Sequence, residues 1–437
     1  MLLYSSESSP RLSYITSFIG HELFRQIIRI TTNKQEFRSH EGPKINYSTK
    51  VLAGNEFKIS NVALLFEKHI TSQQPECFVN AGHKAFFQTI ESDFPFDIFA
   101  AAFYLLSRYE EYTEHTLDQY GRYSHVNSLA FKESFIHLPL VNIWLKDLKI
   151  ALSKKFPDLV YHPGKFIFNP TYDIDIAYSY ANKGARRNCG GFLQSASRMQ
   201  WNCIIERAAV LLNKRNDPFD CFERLNNLHS NYGVKALYFF LVAEKTKQYD
   251  RNILPKSAAL QELIRFHAAR YQIGIHPSWQ SGESEKVLKK EVRLLEKVSG
   301  EKIVNSRQHY LRLTLPETYR TLLNAGIEND YSLGYGNVNG FRASVASSFY
   351  WYDLRKDEPT GLQIFPFCFM DATAYYHQKL TPLQALDELM SYFNSIRSVN
   401  GLMITIWHNH ILGTGREFEG WPQVHEKFLH MNRDELE

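Results

Sequence analysis

The feature that most constrains the fold is a change of pattern after His162-Pro163-Gly164. From this point short apolar runs alternate with amphipathic segments, which is typical of parallel β/α units. The predicted strands are residues 166–169, 236–242, 272–275, 303–305 and 402–407. Such a series predicts an α/β fold, a closed or deformed (β/α) barrel, in which the chemistry lies at the carboxyl ends of the strands.

The helices between these strands are also visible in the sequence. Residues 283–298 place Leu288, Val292 and Leu295 on one apolar stripe. Thr381-Pro382 opens another helix, with Thr381 as N-cap and Pro382 at the first helical position. A shorter helix is predicted between Pro316 and Gly326, since proline is typical of helix starts and glycine of helix ends.

The 437 residues exceed what one hydrophobic core usually serves, so two domains are predicted. Residues 1–158 are expected to form a smaller, mixed α+β domain, and residues 159–437 the barrel. The first part has no metal-ligand or nucleophile spacing, and a structural or substrate-positioning role is its simplest interpretation. Its strongest helix starts near Phe96, and the apolar run at 98–106 is far shorter than the ~20 residues of a membrane span.

Composition excludes several classes of function. Fifty Lys and Arg against 46 Asp and Glu give a net charge of +4 without a basic block, which argues against nucleic-acid binding. The five cysteines are odd in number and form no C-x-x-C pair, so they indicate reduced thiols and no cysteine metal site. No signal peptide is visible in the first residues, which predicts a cytoplasmic location.

Two polar clusters follow the first and third predicted strands. The segment TYDID holds Asp173 and Asp175, and two carboxylates one residue apart at a strand end can provide a metal ligand and a base. The segment GIHPSW holds His276, a candidate zinc ligand. Gly274, before it, permits a close approach of the backbone.

Two further clusters follow later strands. The segment SRQHY holds Arg307, which can hold a catalytic carboxylate, and His309. The segment WHNH holds His408 and His410, a candidate general acid and another possible ligand. Each cluster alone is common in loops and helix caps, but four at strand ends in one chain are far more specific.

The order TYDID, GIHPSW, SRQHY, GFR and WHNH resembles the NodB-like polysaccharide deacetylase superfamily, which comprises carbohydrate esterase family four and its relatives. The resemblance extends from about Phe166 to the C-terminal region. It is closest to a divergent subgroup that carries an extra N-terminal domain of unassigned function, with segments similar to FDIFAAAFYLLSRYEEY and DQYGRY. It implies a deformed (β/α) barrel, a divalent transition metal such as zinc, and hydrolysis of acetyl groups on an amino-sugar or glycan substrate.

The resemblance also implies a role for each motif residue. Asp173 matches the catalytic base, and Arg307 matches the arginine that pairs with the base. Asp175 and His276 match the metal-binding carboxylate and the first metal histidine. His408 matches the late histidine that acts as general acid.

One position departs from the family pattern. The second metal histidine usually lies four residues after the first, where this chain has Gln280. His309 or His410 could replace it, and His309 is our predicted third ligand. A missing imidazole keeps a second hypothesis open, that of an inactive deacetylase relative which binds a glycan or a partner protein.

The segments around the GFR motif are predicted to bind the substrate. The residues expected to do so are Tyr331, Tyr335, Arg342 and, from the second cluster, Trp279. The alternative for this region is a loop closed by an ion pair between Asp330 and Arg342. Asp371, at another strand end, is expected to be structural.

Other enzyme classes lack their signatures. An amidohydrolase of a different barrel family could use the H-x-H of His408 and His410, but such enzymes usually place that motif on their first strand. The sequence has no G-x-S-x-G elbow, no G-x-x-x-x-G-K-[ST] loop and no H-E-x-x-H pair. Serine hydrolases, P-loop proteins and zincins are therefore excluded.

Overall fold

The structure is a computed structural model that describes residues 1–246 and 249–436. The strands are β1 (Leu2–Ser5), β2 (Arg29–Thr31), β3 (Lys44–Tyr47), β4 (Phe57–Lys58), β5 (Phe78–Asn80), β6 (His83–Ala85), β7 (Ile167–Ile174), β8 (Leu237–Phe240), β9 (Gln272–Ile275), β10 (Asn305–Ser306), β11 (Asn329–Asp330), β12 (Phe349–Asp353), β13 (Glu358–Ile364), β14 (Phe369–Met370) and β15 (Leu402–His408). The helices are α1 (Pro10–Phe24), α2 (Lys34–Ser39), α3 (Ile98–Leu106), α4 (Leu129–Lys132), α5 (Leu140–Lys155), α6 (Gly184–Ser197), α7 (Trp201–Leu211), α8 (Phe222–Tyr232), α9 (Ala258–Ala268), α10 (Glu285–Ser299), α11 (Glu317–Asn324), α12 (Pro382–Arg397), α13 (Trp421–Met431) and α14 (Arg433–Leu436).

The main sheet has nine strands in the order β12-β13-β11-β10-β9-β8-β7-β15-β14. Every pairing is parallel except that of β12 with β13. Helices α8 to α12 connect the strands, so the predicted α/β fold is confirmed. The carboxyl ends of the parallel strands meet at one edge, where the four sequence clusters lie.

This sheet is strongly curved. Strands β13 and β14 are seven steps apart in the sheet order, about 34 Å if the sheet were flat. The chain passes from Ile364 to Phe369 directly, and five residue steps span at most about 18 Å. The sheet therefore curls round, although no ladder joins its two end strands among the described residues.

The concave side of the curved sheet holds its own apolar core. The residues of this inner cluster are Leu237, Phe239, Leu311, Tyr331, Phe367, Met370, Ile404 and Ile406. Alternate residues of β8 and β15 contribute to it, as expected of strands that line a barrel interior. Asp173 and His408 continue the inward-facing positions of β7 and β15, so polar side chains close this core at its carboxyl end.

Several local predictions are confirmed in detail. Strand β9 has the predicted bounds, and β15 is one residue longer than predicted. Thr381 caps α12 in a capping box with Gln384, with Pro382 in the first turn. A Cβ at Gly274 would lie 2.5 Å from the Phe239 ring and 2.8 Å from the Asn305 carbonyl, so a larger residue there would force the strands apart.

Residues 1–158 differ from the expected mixed α+β arrangement. Strands β1 to β4 form a sheet in the order β2-β1-β3-β4 in which every pairing is parallel, and β5 and β6 form a separate antiparallel hairpin. Helix α1 connects β1 to its parallel neighbour β2, as in a β/α unit, and α2 connects β2 to β3 on the other side of β1. These strands have two to four residues each, which is too short for periodicity to reveal them. None of the described helices is long and apolar enough to cross a membrane.

The N-terminal part packs closely against the sheet. One continuous cluster of buried residues contains side chains from both parts of the chain. Both carboxylate oxygens of Glu111 accept hydrogen bonds from Arg342, and one of them also accepts from Arg108. All three side chains are almost completely buried. Although burial favours the neutral acid, the two guanidinium groups lower the pKa of Glu111 to about 2.

We expect Glu111→Gln to destabilise the protein, because it leaves Arg342 buried without a counter-charge. Removal of one member of a buried ion pair typically costs about 3–5 kcal/mol of unfolding free energy. Glu36→Gln is the control, because Glu36 pairs with the exposed Arg29 and should change stability by less than about 1 kcal/mol. Urea denaturation measures both variants, and equal losses would argue against a role of Glu111 in joining the two parts.

Candidate active site

The site lies at the carboxyl edge of the sheet, at the ends of β10, β9, β7 and β15, with β8 between β9 and β7. Strands β7 and β15 are paired in register, so Asp173 lies directly opposite His408. His276 follows β9, and Arg307 and His309 follow β10, the next strand along. The structure thus brings together residues up to 235 positions apart in the sequence.

Three side chains converge on one point. Ligand atoms of Asp175, His276 and His309 all lie within 4.8 Å of one another. Nε2 of His276 is 3.0 Å, and Nε2 of His309 3.7 Å, from Oδ1 of Asp175. These distances bracket the ~3.3 Å between two ligand atoms that each lie about 2.05 Å from a tetrahedral zinc ion. Two of the three separations are therefore close to those between ligand atoms around a small divalent cation.

The other ring nitrogens of both histidines are held from outside the cluster. Nδ1 of His276 is 2.5 Å from the backbone carbonyl of Arg307, which can only accept a hydrogen bond. Nδ1 of His309 is 3.1 Å from the buried Asp250 carboxylate. Acceptors at Nδ1 fix the tautomer in which Nε2 carries a lone pair, the form that binds metal.

Asp175 carries the negative charge at the centre of this cluster. Its Oδ1 atom is buried, and no donor forms a well-aligned hydrogen bond with it. Although burial favours the neutral acid, His309, His276 and His408 hold the pKa of Asp175 well below its usual value. Oδ1 of Asp175 thus faces two imidazole nitrogens, an environment that favours a positive charge beside it.

Asp173 is held beside this cluster by Arg307. Oδ1 of Asp173 accepts a hydrogen bond of 2.9 Å from Nη1 of Arg307, which also donates to Thr171 Oγ1. Arg307 is completely buried, and its Nε donates to the carbonyl of Tyr331. The contact with Asp173 uses one guanidinium nitrogen, not the two of a bidentate pair. The other oxygen of Asp173 is 3.9 Å from Nε2 of His276, so it faces the cluster.

His408 forms the opposite side of the site with a buried acid. Its Nδ1 is 2.6 Å from Oδ1 of Asp371, and its backbone N–H donates to Oδ2 of the same residue. Its Nε2 is 3.6 Å from Oδ2 of Asp175. Burial disfavours the charged ring, yet the Asp371 carboxylate raises the pKa of His408 to about 9. His408 is therefore protonated at neutral pH, as a general acid must be.

Gln280 supports the cluster from outside. Its Nε2 donates to Oδ2 of Asp250, at 3.2 Å, and to the carbonyl of Lys245. Since Oδ1 of Asp250 accepts from His309, the amide of Gln280 helps to position the acid that orients this imidazole. The second imidazole beside His276 and Asp175 is that of His309, which comes from the neighbouring strand end.

The predicted substrate-binding residues need correction. Tyr331 is buried in the inner cluster and stacks on Phe365 with ring centroids 4.6 Å apart. Tyr335 is buried, and Arg342 pairs with Glu111, so neither lines an accessible groove. The proposed ion pair between Asp330 and Arg342 is also wrong. Residues 1–158 cover Tyr335 and Arg342, whereas Tyr331 is buried in the interior of the curved sheet itself.

Trp279 lies beside the site, and two other side chains cover the faces of its ring. Tyr249 stacks on it with centroids 4.0 Å apart, and the guanidinium of Arg312 lies 4.3 Å from the ring centre. The two groups cover opposite faces of the ring, and the half-buried indole can offer a ligand its edge.

His410 lies near the site but outside the converging cluster. Its ring packs close to Phe219 and Phe418, with centroids 5.6 Å away in each case. Burial lowers the pKa of His410 to about 3, so the ring is neutral. The H-x-H motif of His408 and His410 therefore does not form a metal-binding pair here.

The sequence motifs did not identify the two acids that hold His309 and His408, which are Asp250 and Asp371. Asp250 lies in the loop after β8, where no motif marks it. Asp371 was expected to be structural, although it follows the apolar segment FCFM at the end of β14, next to the strand of His408. That adjacency is the signal that could have identified Asp371.

The residues of the candidate site all lie at this edge of the sheet. A cavity of about 840 Å³ lies at the opposite edge, between α1, α5 and the first residues of β7 and β15. It contains none of the residues described above. The candidate site and the cavity thus lie at opposite edges of the sheet, and (β/α) barrels carry their chemistry at the carboxyl ends of the strands.

The family-model comparison matches the N-terminal part of the chain. A family model described as "Family of unknown function (DUF7033)" matches residues 1–157. No curated protein matches the sequence.

Solved structures of polysaccharide deacetylases are similar to about 62% of the chain. A Mycobacterium smegmatis protein assigned as a polysaccharide deacetylase is 17% identical, with a TM-score of 0.39 over 63% of this chain and 86% of that one. The Puue allantoinase is 13% identical, with a TM-score of 0.40 over 62% and 86%. A pseudoenzyme of carbohydrate esterase family four from Bacillus anthracis is 11% identical, with a TM-score of 0.31 over 62% and 63%.

Proposed function

We propose that the protein is a metal-dependent hydrolase that removes acetyl groups from amino sugars of a polysaccharide or its precursor. One observation carries this proposal, the convergence of Asp175, His276 and His309 between a carboxylate and a protonated imidazole. Deacetylation of an amide needs these components, an electrophilic centre, a base and an acid. The resemblance of the sequence motifs to polysaccharide deacetylases supports the same activity.

We propose Asp175, His276 and His309 as the ligands of a divalent transition metal, with zinc the best match to two imidazoles and one carboxylate. The unpartnered Oδ1 of Asp175 and the outward-facing Nδ1 atoms of the histidines support this assignment. A bound cation supplies Lewis-acid polarisation of the acetyl carbonyl and lowers the pKa of the attacking water.

The remaining residues divide the proton transfers. Asp173 takes the proton of the attacking water with the oxygen that faces the cluster, while Arg307 holds its other oxygen in place. His408 donates the proton that its Nε2 carries to the departing amine nitrogen. Asp371 stabilises the protonated form of His408 and fixes its ring.

The proposal is tested by acetate release. The metal-reconstituted protein is incubated with oligomers of N-acetylglucosamine, and both acetate and free amines are measured. We expect equal amounts of the two products and loss of both after chelation. Absence of products with every acetylated glycan tried, from protein that binds metal, would favour the second hypothesis of an inactive glycan-binding relative.

We expect Asp371→Asn to lower kcat by about 10²-fold or more, since general acid catalysis typically contributes 10²–10⁴-fold. An amide cannot stabilise the imidazolium of His408 as the carboxylate does, and it can favour the wrong tautomer. Metal content should stay unchanged, because Asp371 contacts none of the three proposed ligands. Steady-state kinetics and elemental analysis check both points, and a variant with wild-type kcat would contradict the role of Asp371.

A further inference from the structure

Residues 118–122 of the N-terminal part extend to the edge of the candidate site. The carboxylate of Asp118 accepts from the backbone N–H groups of Tyr120 and Arg122 and pairs with the guanidinium of Arg122. This closes a tight turn with Tyr120 at its tip. The turn is thus an ordered element and does not depend on a ligand for its shape.

Arg122 fastens this turn to the segment that carries His309. Its Nη1 donates to the carbonyl of Tyr310, at 2.8 Å, and its Nη2 donates to Oδ1 of Asn337, at 2.7 Å. Tyr310 and Leu311 both have left-handed backbone angles, with φ of 59° and 53°. Such angles are unfavourable for these residues and persist only where the surroundings hold them. Arg122 provides one of the contacts that do so.

Aromatic rings lead from the cluster to the N-terminal turn. The ring of Tyr310 lies 4.7 Å from that of His309, and the ring of Tyr120 lies 5.2 Å from that of Tyr310, both as centroid distances. Tyr249 contacts both tyrosines, at 5.1 Å from Tyr310 and 6.3 Å from Tyr120. We call Tyr120, Tyr249, Trp279 and Tyr310 the aromatic wall.

The aromatic wall differs from a core cluster in its exposure. All four rings are half-buried, whereas core rings such as Tyr172 and Tyr238 are fully buried. Neighbouring side chains hold the aromatic wall in place. Trp279 lies between Tyr249 and Arg312, and the guanidinium of Arg122 lies 4.8 Å from the Tyr120 ring centre. A stiff, partly exposed group of tyrosines is a typical surface for ligands that have one apolar and one polar face.

We propose that the aromatic wall binds a sugar ring of the substrate, and that Tyr120 makes the N-terminal part a component of the substrate site. This rests on the proposed function and extends it to substrate recognition. The apolar C–H face of a pyranose would stack on Tyr120 and Tyr310, with its acetyl group directed towards the cluster beside His309. The occupant is therefore an oligosaccharide, since one ring presents the acetyl group while a neighbouring ring contacts the wall.

The test compares Tyr120→Ala and Tyr120→Phe in the metal-loaded full-length protein. Within residues 1–246 and 249–436 no group hydrogen-bonds the Tyr120 hydroxyl, so Tyr120→Phe, which keeps the ring, should retain binding of the oligomer. Tyr120→Ala should raise KM for oligomers of N-acetylglucosamine by about tenfold, since an aromatic contact contributes about 0.5–1.5 kcal/mol, while kcat stays within about threefold. Leu117→Ala is the control for loss of exposed apolar surface in the same turn, and should match the wild type.

Direct binding separates this inference from the proposed function. Calorimetric titration with the same oligomer needs no turnover, so weaker binding to Tyr120→Ala would support the wall even in an inactive protein. Tyr120→Leu, which keeps bulk without a ring, replaces Tyr120→Ala if that variant does not fold. Unchanged KM and Kd in the folded variant, or no oligomer binding by the wild type, would overturn the inference.

Discussion

Replacement of Asp173 by Asn should lower kcat by at least about 10³-fold and leave the metal bound. The amide cannot accept the proton of the attacking water, and general base catalysis is typically worth 10²–10⁴-fold. Asp173 is outside the three-residue cluster, and its nearest contact there is the 3.9 Å separation from His276. Acetate release and elemental analysis, made on the same preparation, measure the two quantities.

A matched control for this variant is Asp353→Asn. Asp353 is also buried and also paired with an arginine, Arg320, but it lies at the opposite end of the sheet. We expect this change to lower stability and to leave kcat near the wild-type value. Retained turnover in Asp173→Asn would rule out Asp173 as the base, and equal losses of kcat in both variants would assign the effect to folding.

Replacement of His309 by Ala should weaken metal binding by at least about 10²-fold and abolish activity. It removes one of three proposed ligands, and even changes to the residues that support metal ligands typically cost 10–100-fold in affinity. Gln280→Ala should have a smaller effect, because Gln280 acts only through Asp250. Competition with a fluorescent zinc chelator measures the affinities.

Two further variants control for the loss of an imidazole near the site. His410→Ala removes a ring that neighbours His408 but lies outside the cluster, and should leave metal affinity unchanged. His276→Ala should lose both metal and activity, as His309→Ala does. Unchanged affinity in His309→Ala would contradict the assignment of the third ligand and leave the chain without its substitute for the missing histidine.

The sequence predicted the elements that carry the motifs because those signals are local. An apolar run followed by a polar motif marks the ends of β7, β9 and β15, and Thr381 with Pro382 marks the start of α12. Strand β13 was not predicted, because Glu358, Pro359 and Gly361 belong to residue types that are uncommon in strands. Curvature of the sheet follows from the order of all nine strands and has no local signal.

The sequence identified only those residues of the site that belong to its motifs. Asp175, His276 and His309 were grouped from the sequence as metal ligands, and the structure brings them together. Asp250 could not be identified, because it acts through His309, 59 positions away. Arg342 was misassigned for a related reason, since its partner Glu111 lies 231 positions away in a part of the chain that was treated as separate.

The proposed catalytic site depends most on a metal at the cluster of Asp175, His276 and His309. The direct measurement is a crystal structure of the zinc-loaded protein with anomalous diffraction recorded on both sides of the zinc absorption edge. We predict one strong peak about 2.0–2.2 Å from the Asp175 carboxylate and from Nε2 of His276 and His309. No peak at the cluster in zinc-saturated crystals, or a peak held by other side chains, would contradict the proposed catalytic site.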